Sequence, residues 1–159
     1  MTHDLPYRAC AGAVVFGPKS HVFVGRRADL PKGTPEAWQF PQGGIDSGEA
    51  PRDAVLRELA EEIGTNNADI IAEHPDWLHY DLPEELRRTR MGRRYRGQRQ
   101  RWFALRFLGS DADIKLDAHH PIEFDAWRWL PLADVPALVV PFKRHIYDTV
   151  ARDFAHLAS

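Results

Sequence analysis

Glu58, Glu61 and Glu62 stand three and four residues apart in PRDAVLRELAEEIG. Those two intervals bring side chains onto one face of a helix, roughly 6 Å apart. Carboxylates held that close repel one another, and a bound divalent cation is the simplest relief. An oxygen-only ligand set suits magnesium or manganese better than zinc. Such a site serves hydrolysis of phosphoanhydrides, in which metal ions neutralise phosphate oxygens and lower the pKa of a bound water. The plain alternative is a solvated acidic face, which the triplet alone does not exclude.

The elements around the triplet must position it. Pro51 fits the first turn of a helix, where its missing amide costs nothing. Gly64 fits the left-handed residue that closes one. Between them Leu56, Leu59, Ala60 and Ile63 share one face at 100° per residue, with the glutamates opposite. A glycine-rich loop, Gly43-Gly44-Ile45-Asp46-Ser47-Gly48, leads into this helix. Upstream, residues 8–16 and 22–26 read as strands joined by a turn at 17–20, and Trp38-Gln39-Phe40 as a short strand. Downstream, 69–80 reads as a long strand interrupted at His74-Pro75, and 98–108 and 124–130 as further strands. The last element, 142–157, is an amphipathic helix with Phe142, Ile146, Val150 and Phe154 four apart. Strands, helix, strands, helix without βαβ alternation predict an α+β domain: a mixed sheet covered by the acidic helix and the terminal helix.

The 159 residues fit a single domain spanning 1–159, with 43% hydrophobic and 28% charged residues as in ordinary soluble proteins. The start of the chain lacks the basic and apolar run of a signal peptide, and no apolar stretch approaches the roughly 20 residues of a membrane span. Cys10 is the only cysteine, which rules out an intrachain disulfide and suits a reducing cytoplasm. Its apolar surroundings predict a buried, structural thiol. A net charge of −2 argues against non-specific nucleic-acid binding over the whole surface.

The full pattern is more specific than the triplet. Gly43, five residues, Glu49, seven residues and then Arg57-Glu58-Leu59-x-Glu61-Glu62-x-Gly64 resembles the signature of the Nudix hydrolases, over residues 43–65. The one departure is Thr65, where that family favours an aliphatic residue. The resemblance implies the Nudix fold, an α/β/α sandwich, and metal-dependent hydrolysis with Glu58, Glu61 and Glu62 as ligands and the Gly43 region adding a carbonyl. Glu58 and Glu61 are both candidates for the general base. Glu49 either binds a metal indirectly or holds the loop against the helix. Arg57 is expected to orient a glutamate rather than touch substrate.

Further motifs resemble one branch of that family, the bacterial RNA pyrophosphohydrolases and related dinucleoside polyphosphate hydrolases. They are Tyr7-Arg8, Trp38-Gln39-Phe40-Pro41-Gln42-Gly43-Gly44, Trp77-Leu78-x-Tyr80, Gly97-Gln98-x-Gln100-x-Trp102-Phe103, Glu123-Phe124-Asp125-x-Trp127-x-Trp129 and Pro141-Phe142-Lys143-Arg144. The resemblance implies Glu123 as an additional metal ligand or base. It implies Phe142 and Arg27 on the two faces of a nucleobase, an arrangement suited to any base because every base has a π-face. Arg8, Gln42, Tyr80, Gln98 and Lys143 are further substrate-binding candidates. The implied reaction is cleavage at the 5′ end of tri- or diphosphorylated RNA to leave a 5′-monophosphate, which promotes RNA decay. The rivals are asymmetric hydrolysis of diadenosine tetraphosphate and related dinucleoside polyphosphates, and a non-catalytic nucleotide- or RNA-binding module.

Eight arginines lie between positions 87 and 101: 87, 88, 90, 93, 94, 96, 99 and 101. A charge run is usually a solvated face, yet a basic strip on a slightly acidic protein would also draw a polyphosphate or an RNA 5′ end. The five tryptophans fall on strands or strand ends and read mostly as core. His119-His120 has no partner at metal-ligand spacing.

Overall fold

A computed structural model describes residues 4–158. Strands β1 (Tyr7–Phe16), β2 (Val22–Arg27), β3 (Trp38–Gln39), β4 (Gln42–Gly44), β5 (Ala68–Glu73), β6 (Leu78–Asp81), β7 (Gly97–Phe107) and β8 (Phe124–Leu130) form one eight-stranded sheet. Its path runs β3-β2-β1-β7-β5, with β4 on β1, β6 on β7 and β8 on β2. The sheet is mixed: β1 and β7 run parallel from Tyr7↔Gly97 to Phe16↔Arg106, and β1 pairs antiparallel with β4 at Ala11↔Gly43.

The period of two along β1 and β7 divides the core between the two faces. Ala11, Ala13, Val15, Phe103 and Leu105 point to a cluster completed by Val55, Leu59 and Ile63 of helix α1 (Pro51–Ile63). Val14, Phe16, Trp102 and Ala104 point the other way, to Ile146, Val150 and Phe154 of helix α2 (Arg144–Phe154). Buried on both faces, β1 carries a nearly continuous apolar run. Helix layers on both faces make this the expected α/β/α sandwich.

The predicted strands and helices are present, with differences in detail, the first being that Gly43-Gly44 of the expected loop belong to strand β4. The long strand at 69–80 is two strands, because Pro75 cannot donate to the ladder; both halves still pair with β7. The terminal helix is a 3₁₀ turn at Pro141–Lys143, then α2, then a second 3₁₀ turn at Ala155–Ala158. On α1 the core face is rotated from the one expected. Ala54, Val55, Leu59, Ile63 and Glu62 are buried, while Leu56 and Ala60 are half-buried. Of the tryptophans only Trp102 is fully buried; Trp38, Trp127 and Trp129 are partly buried and pack against the core, and Trp77 is partly buried just before β6.

Candidate active site

Helix α1 begins at Pro51 after Ala50, and Gly64 ends it at φ 81°, a left-handed conformation that disfavours any residue with a Cβ. The loop before it is fastened by Glu49. The Asp46 amide donates to Glu49 Oε1 at 3.0 Å, and the Glu49 amide donates to the Asp46 carbonyl at 2.9 Å. Arg57, two turns along the helix, reaches back to the same carboxylate with Nε and Nη2, each at 2.9 Å. That pair holds Glu49 down to a pKa of about 2, the Arg57 bond first and the Asp46 amide second. Arg57 Nη2 also donates to the Gly44 carbonyl at 2.8 Å, and Nη1 to Glu58 Oε1 at 2.9 Å. Glu61 is a looser partner, at 3.4 Å. Of the two roles open to Glu49, loop fastening is the one its contacts display.

Arg57 offsets the charge of Glu58 and Glu61 but does not reach Glu62. Glu62 is only 4% exposed, and its carboxylate accepts a hydrogen bond of 3.3 Å from the Gln42 amide. Desolvation, followed by repulsion from Glu123 and then Glu58, raises its pKa well above the usual carboxylate range. Glu58 is also raised, chiefly by desolvation, against the opposing pull of Arg57. Gly43 lies flat against Glu58, and a Cβ there would collide with the Glu58 carboxyl. Among the described residues no three His, Cys, Asp or Glu side chains converge closely enough to hold an ion together. Even so, the donors fit a hard divalent cation: all are oxygen, and Glu62 faces like charges with one weak hydrogen bond.

A cleft of about 600 Å³ opens above this group. Its lining brings together Glu58, Glu62, Gly43, Glu123, Arg8, Arg27, Gln42, Tyr80, Gln98, Phe142 and Lys143. Arg57 and Glu61 lie outside that lining; Glu61 shares a smaller recess with Glu58, Glu62, Glu123, His119 and His120. The Glu123 carboxyl is raised by desolvation and then by Asp29. Phe142 is half-buried, its ring 5.4 Å from that of Tyr80, so it packs on the core and fronts the cleft at once. Lys143 is buried beside them, and desolvation, then Arg27, lowers its ammonium to a pKa of about 8. Gln98 is tied into a buried ladder, accepting from Gln100 Nε2 at 2.9 Å, while Gln100 Oε1 accepts from Trp102 Nε1 at 3.1 Å.

Three contributors lie outside the substrate contacts expected from the sequence. Asp29 fixes Arg27 bidentately, at 3.0 and 2.7 Å. Gln39 is buried on the cleft wall with Oε1 lacking a partner. The residues before β7, including Thr89, Arg90 and Met91, close one side. An Asp two residues after an Arg was a legible signal; the others required the fold. The His119-His120 loop lines the same recess as the glutamates, where spacing along the chain gave no hint.

The arginine strip divides. Arg96 pairs with Asp81, Arg101 with Glu73, and Arg99 stacks 4.3 Å from the centre of the Trp77 ring. Arg87, Arg88, Arg90, Arg93 and Arg94 are exposed. No helix of the described residues is long and apolar enough to cross a membrane.

Residues 6–150 match the model of the NUDIX domain. An RNA pyrophosphohydrolase of Acidiphilium cryptum is 56% identical over 97% of this chain and 93% of its own length. One from Gluconacetobacter diazotrophicus is 54% identical over 98% and 95%. Among solved structures, E. coli dihydroneopterin triphosphate pyrophosphohydrolase has a TM-score of 0.66 at 19% identity, covering 93% of this chain and 99% of that one. A C. elegans Ap4A hydrolase binary complex has 0.64 at 19%, covering 94% and 98%. A match over most of the chain, in sequence and in fold, makes this protein a member of the NUDIX domain family, the Nudix hydrolases.

Proposed function

We propose that this Nudix hydrolase cleaves a phosphoanhydride at the 5′ end of tri- or diphosphorylated RNA, leaving a 5′-monophosphate, in the cytoplasm and with magnesium or manganese. The whole chain is read as one domain carrying this activity. The supporting observation is one cleft whose lining combines the carboxylates Glu58, Glu62 and Glu123 with Arg27 and the aromatic ring of Phe142. Relatives above 50% identity that are named RNA pyrophosphohydrolases favour RNA as the substrate.

Glu58, Glu61 and Glu62 would hold the ion, with Glu123 and the Gly43 carbonyl beside them. When bound, the metal would neutralise phosphate oxygens and acidify a water. Arg57 keeps Glu58 aimed and ties the glycine loop to the helix. Glu58 or Glu61 takes the proton of the attacking water. Phe142 stacks on the base, and Arg27, held in plane by Asp29, covers its other face. Arg8 and Lys143 meet phosphate charge, while Gln42, Tyr80 and Gln98 line the ribose and phosphate path.

The test is a 5′-triphosphorylated RNA incubated with magnesium and either this protein or its Glu62→Gln variant, with the 5′ end assayed by a monophosphate-specific exonuclease. Monophosphorylated product from the first and none from the second is expected. Equal product from both would sink the assignment of Glu62.

A further inference from the structure

A second hollow of about 700 Å³ adjoins the cleft, within the roughly 300–1,000 Å³ usual for ligand pockets. Tyr7, Arg8, Ser47, Arg90, Arg94 and Tyr95 form much of its wall. Arg8, Gly44, Arg90 and Met91 belong to both hollows, so the two meet beside the acidic group. The Arg94 guanidinium lies 5.4 Å from the centre of the Tyr95 ring. Among the described residues, ion pairs engage Arg96 and Arg101 but neither Arg90 nor Arg94. Asp46, the acid in this wall, is already paired with Arg57 at 3.6 Å. The hollow is therefore net basic in a chain of net charge −2.

Guanidinium and phenol planes beside uncancelled positive charge are what a single-stranded nucleotide requires, a face to stack on and a cation for its phosphate. On the reading above, a mononucleotide, with one base and its phosphates, would need the cleft alone. We propose that the adjoining hollow is a second nucleotide subsite. It takes a nucleotide of the RNA other than the one between Arg27 and Phe142, with the base against Tyr95 and Arg94 and phosphate near Arg8 and Arg90. The proposal rests on the RNA reading above and adds a reason for preferring RNA to a lone nucleotide.

The experiment compares Arg94→Gln and Tyr95→Leu with the unaltered protein on a short 5′-triphosphorylated RNA and on the nucleoside triphosphate of its first residue. Both substrates present the same triphosphate, but only one has a second nucleotide. For each variant kcat/KM on RNA should fall about tenfold, through KM, while the nucleoside triphosphate is unaffected. For Arg90→Gln, which removes a phosphate partner, the dependence of RNA binding on salt should weaken by about one unit of log–log slope. Arg94 is exposed, so its variant keeps the test valid should Tyr95→Leu fail to fold. Unchanged RNA turnover in Arg94→Gln, or equal loss on both substrates, overturns the subsite and leaves the RNA reading standing. An unaltered protein that consumes the nucleoside triphosphate and not the RNA overturns both.

Discussion

Arg57 donates to Glu58 across 2.9 Å, and the same guanidinium holds the Gly44 carbonyl at 2.8 Å and both oxygens of Glu49. One side chain thus sets the glycine loop, its fastening carboxylate and a carboxylate facing the cleft in a fixed relation. Lysine cannot reproduce this, since its single ammonium lacks the planar fork. Arg57→Lys should lower kcat about 10- to 100-fold, as losing support for a ligand does. It should also cost about 2 kcal/mol of stability, the scale of hydrogen bonds to charged groups. Steady-state kinetics beside urea unfolding separates the two effects, and an unchanged kcat would show that Glu58 needs no such support.

Acid should expose the same link. Glu49 has a folded pKa of about 2 against an ordinary 4.5. A depressed carboxylate contributes stability that is fully present above its unfolded pKa and lost as pH falls through the folded one. Glu49→Gln should therefore be less stable than the unaltered protein near neutral pH, with the difference closing as pH approaches 2. Thermal melts across that range check it; a gap that does not narrow would mean that the Glu49 charge is not what stabilises the loop.

Glu62 has the opposite sign. Its raised pKa makes the buried charge unfavourable above the unfolded carboxylate range, and the penalty grows as pH climbs toward the folded value. Without metal, Glu62→Gln should melt no lower than the unaltered protein at neutral pH, while losing activity. Adding magnesium should raise the melting temperature of the unaltered protein and leave the variant nearly unmoved. A variant that melts lower and still responds fully to magnesium would point to a purely structural Glu62.

Gly43→Ala tests close approach. The added methyl meets the Glu58 carboxyl, so Glu58 must swing aside. Displacement of about 1 Å costs on the order of 100-fold in rate, and the fold should survive because the collision is with a side-chain end. Activity close to normal would mean Glu58 has latitude in its position.

Phe142→Ala should raise KM for a nucleotide substrate about 10- to 100-fold, in line with roughly 1–3 kcal/mol per stacked base. Its contact with Tyr80 predicts a modest loss of stability as well. Loss of stability with no change in KM would assign Phe142 to the core alone.

The sheet was legible where the pattern was strong. The buried run of β1, the alternation of β8 and the Pro51 and Gly64 punctuation of α1 each fixed an element within about a residue. The face of α1 was less legible, because periodicity counts Glu62 as solvent-facing. The fold buries it under the Gln42 strand, where its carboxylate accepts from the Gln42 amide. Tertiary neighbours were hidden for a related reason. Asp29 was within reach of local reading, but Gln39, the Arg90 wall and the His119-His120 loop become site residues only when distant segments meet. Such meetings leave no periodic trace in one chain.

The most direct measurement mixes a 5′-triphosphorylated RNA with an equal amount of diadenosine tetraphosphate in one magnesium reaction and follows both. The RNA should be consumed first, giving a 5′-monophosphate end. Consumption of the dinucleotide with the RNA untouched would contradict RNA as the substrate while keeping the hydrolytic chemistry of the family.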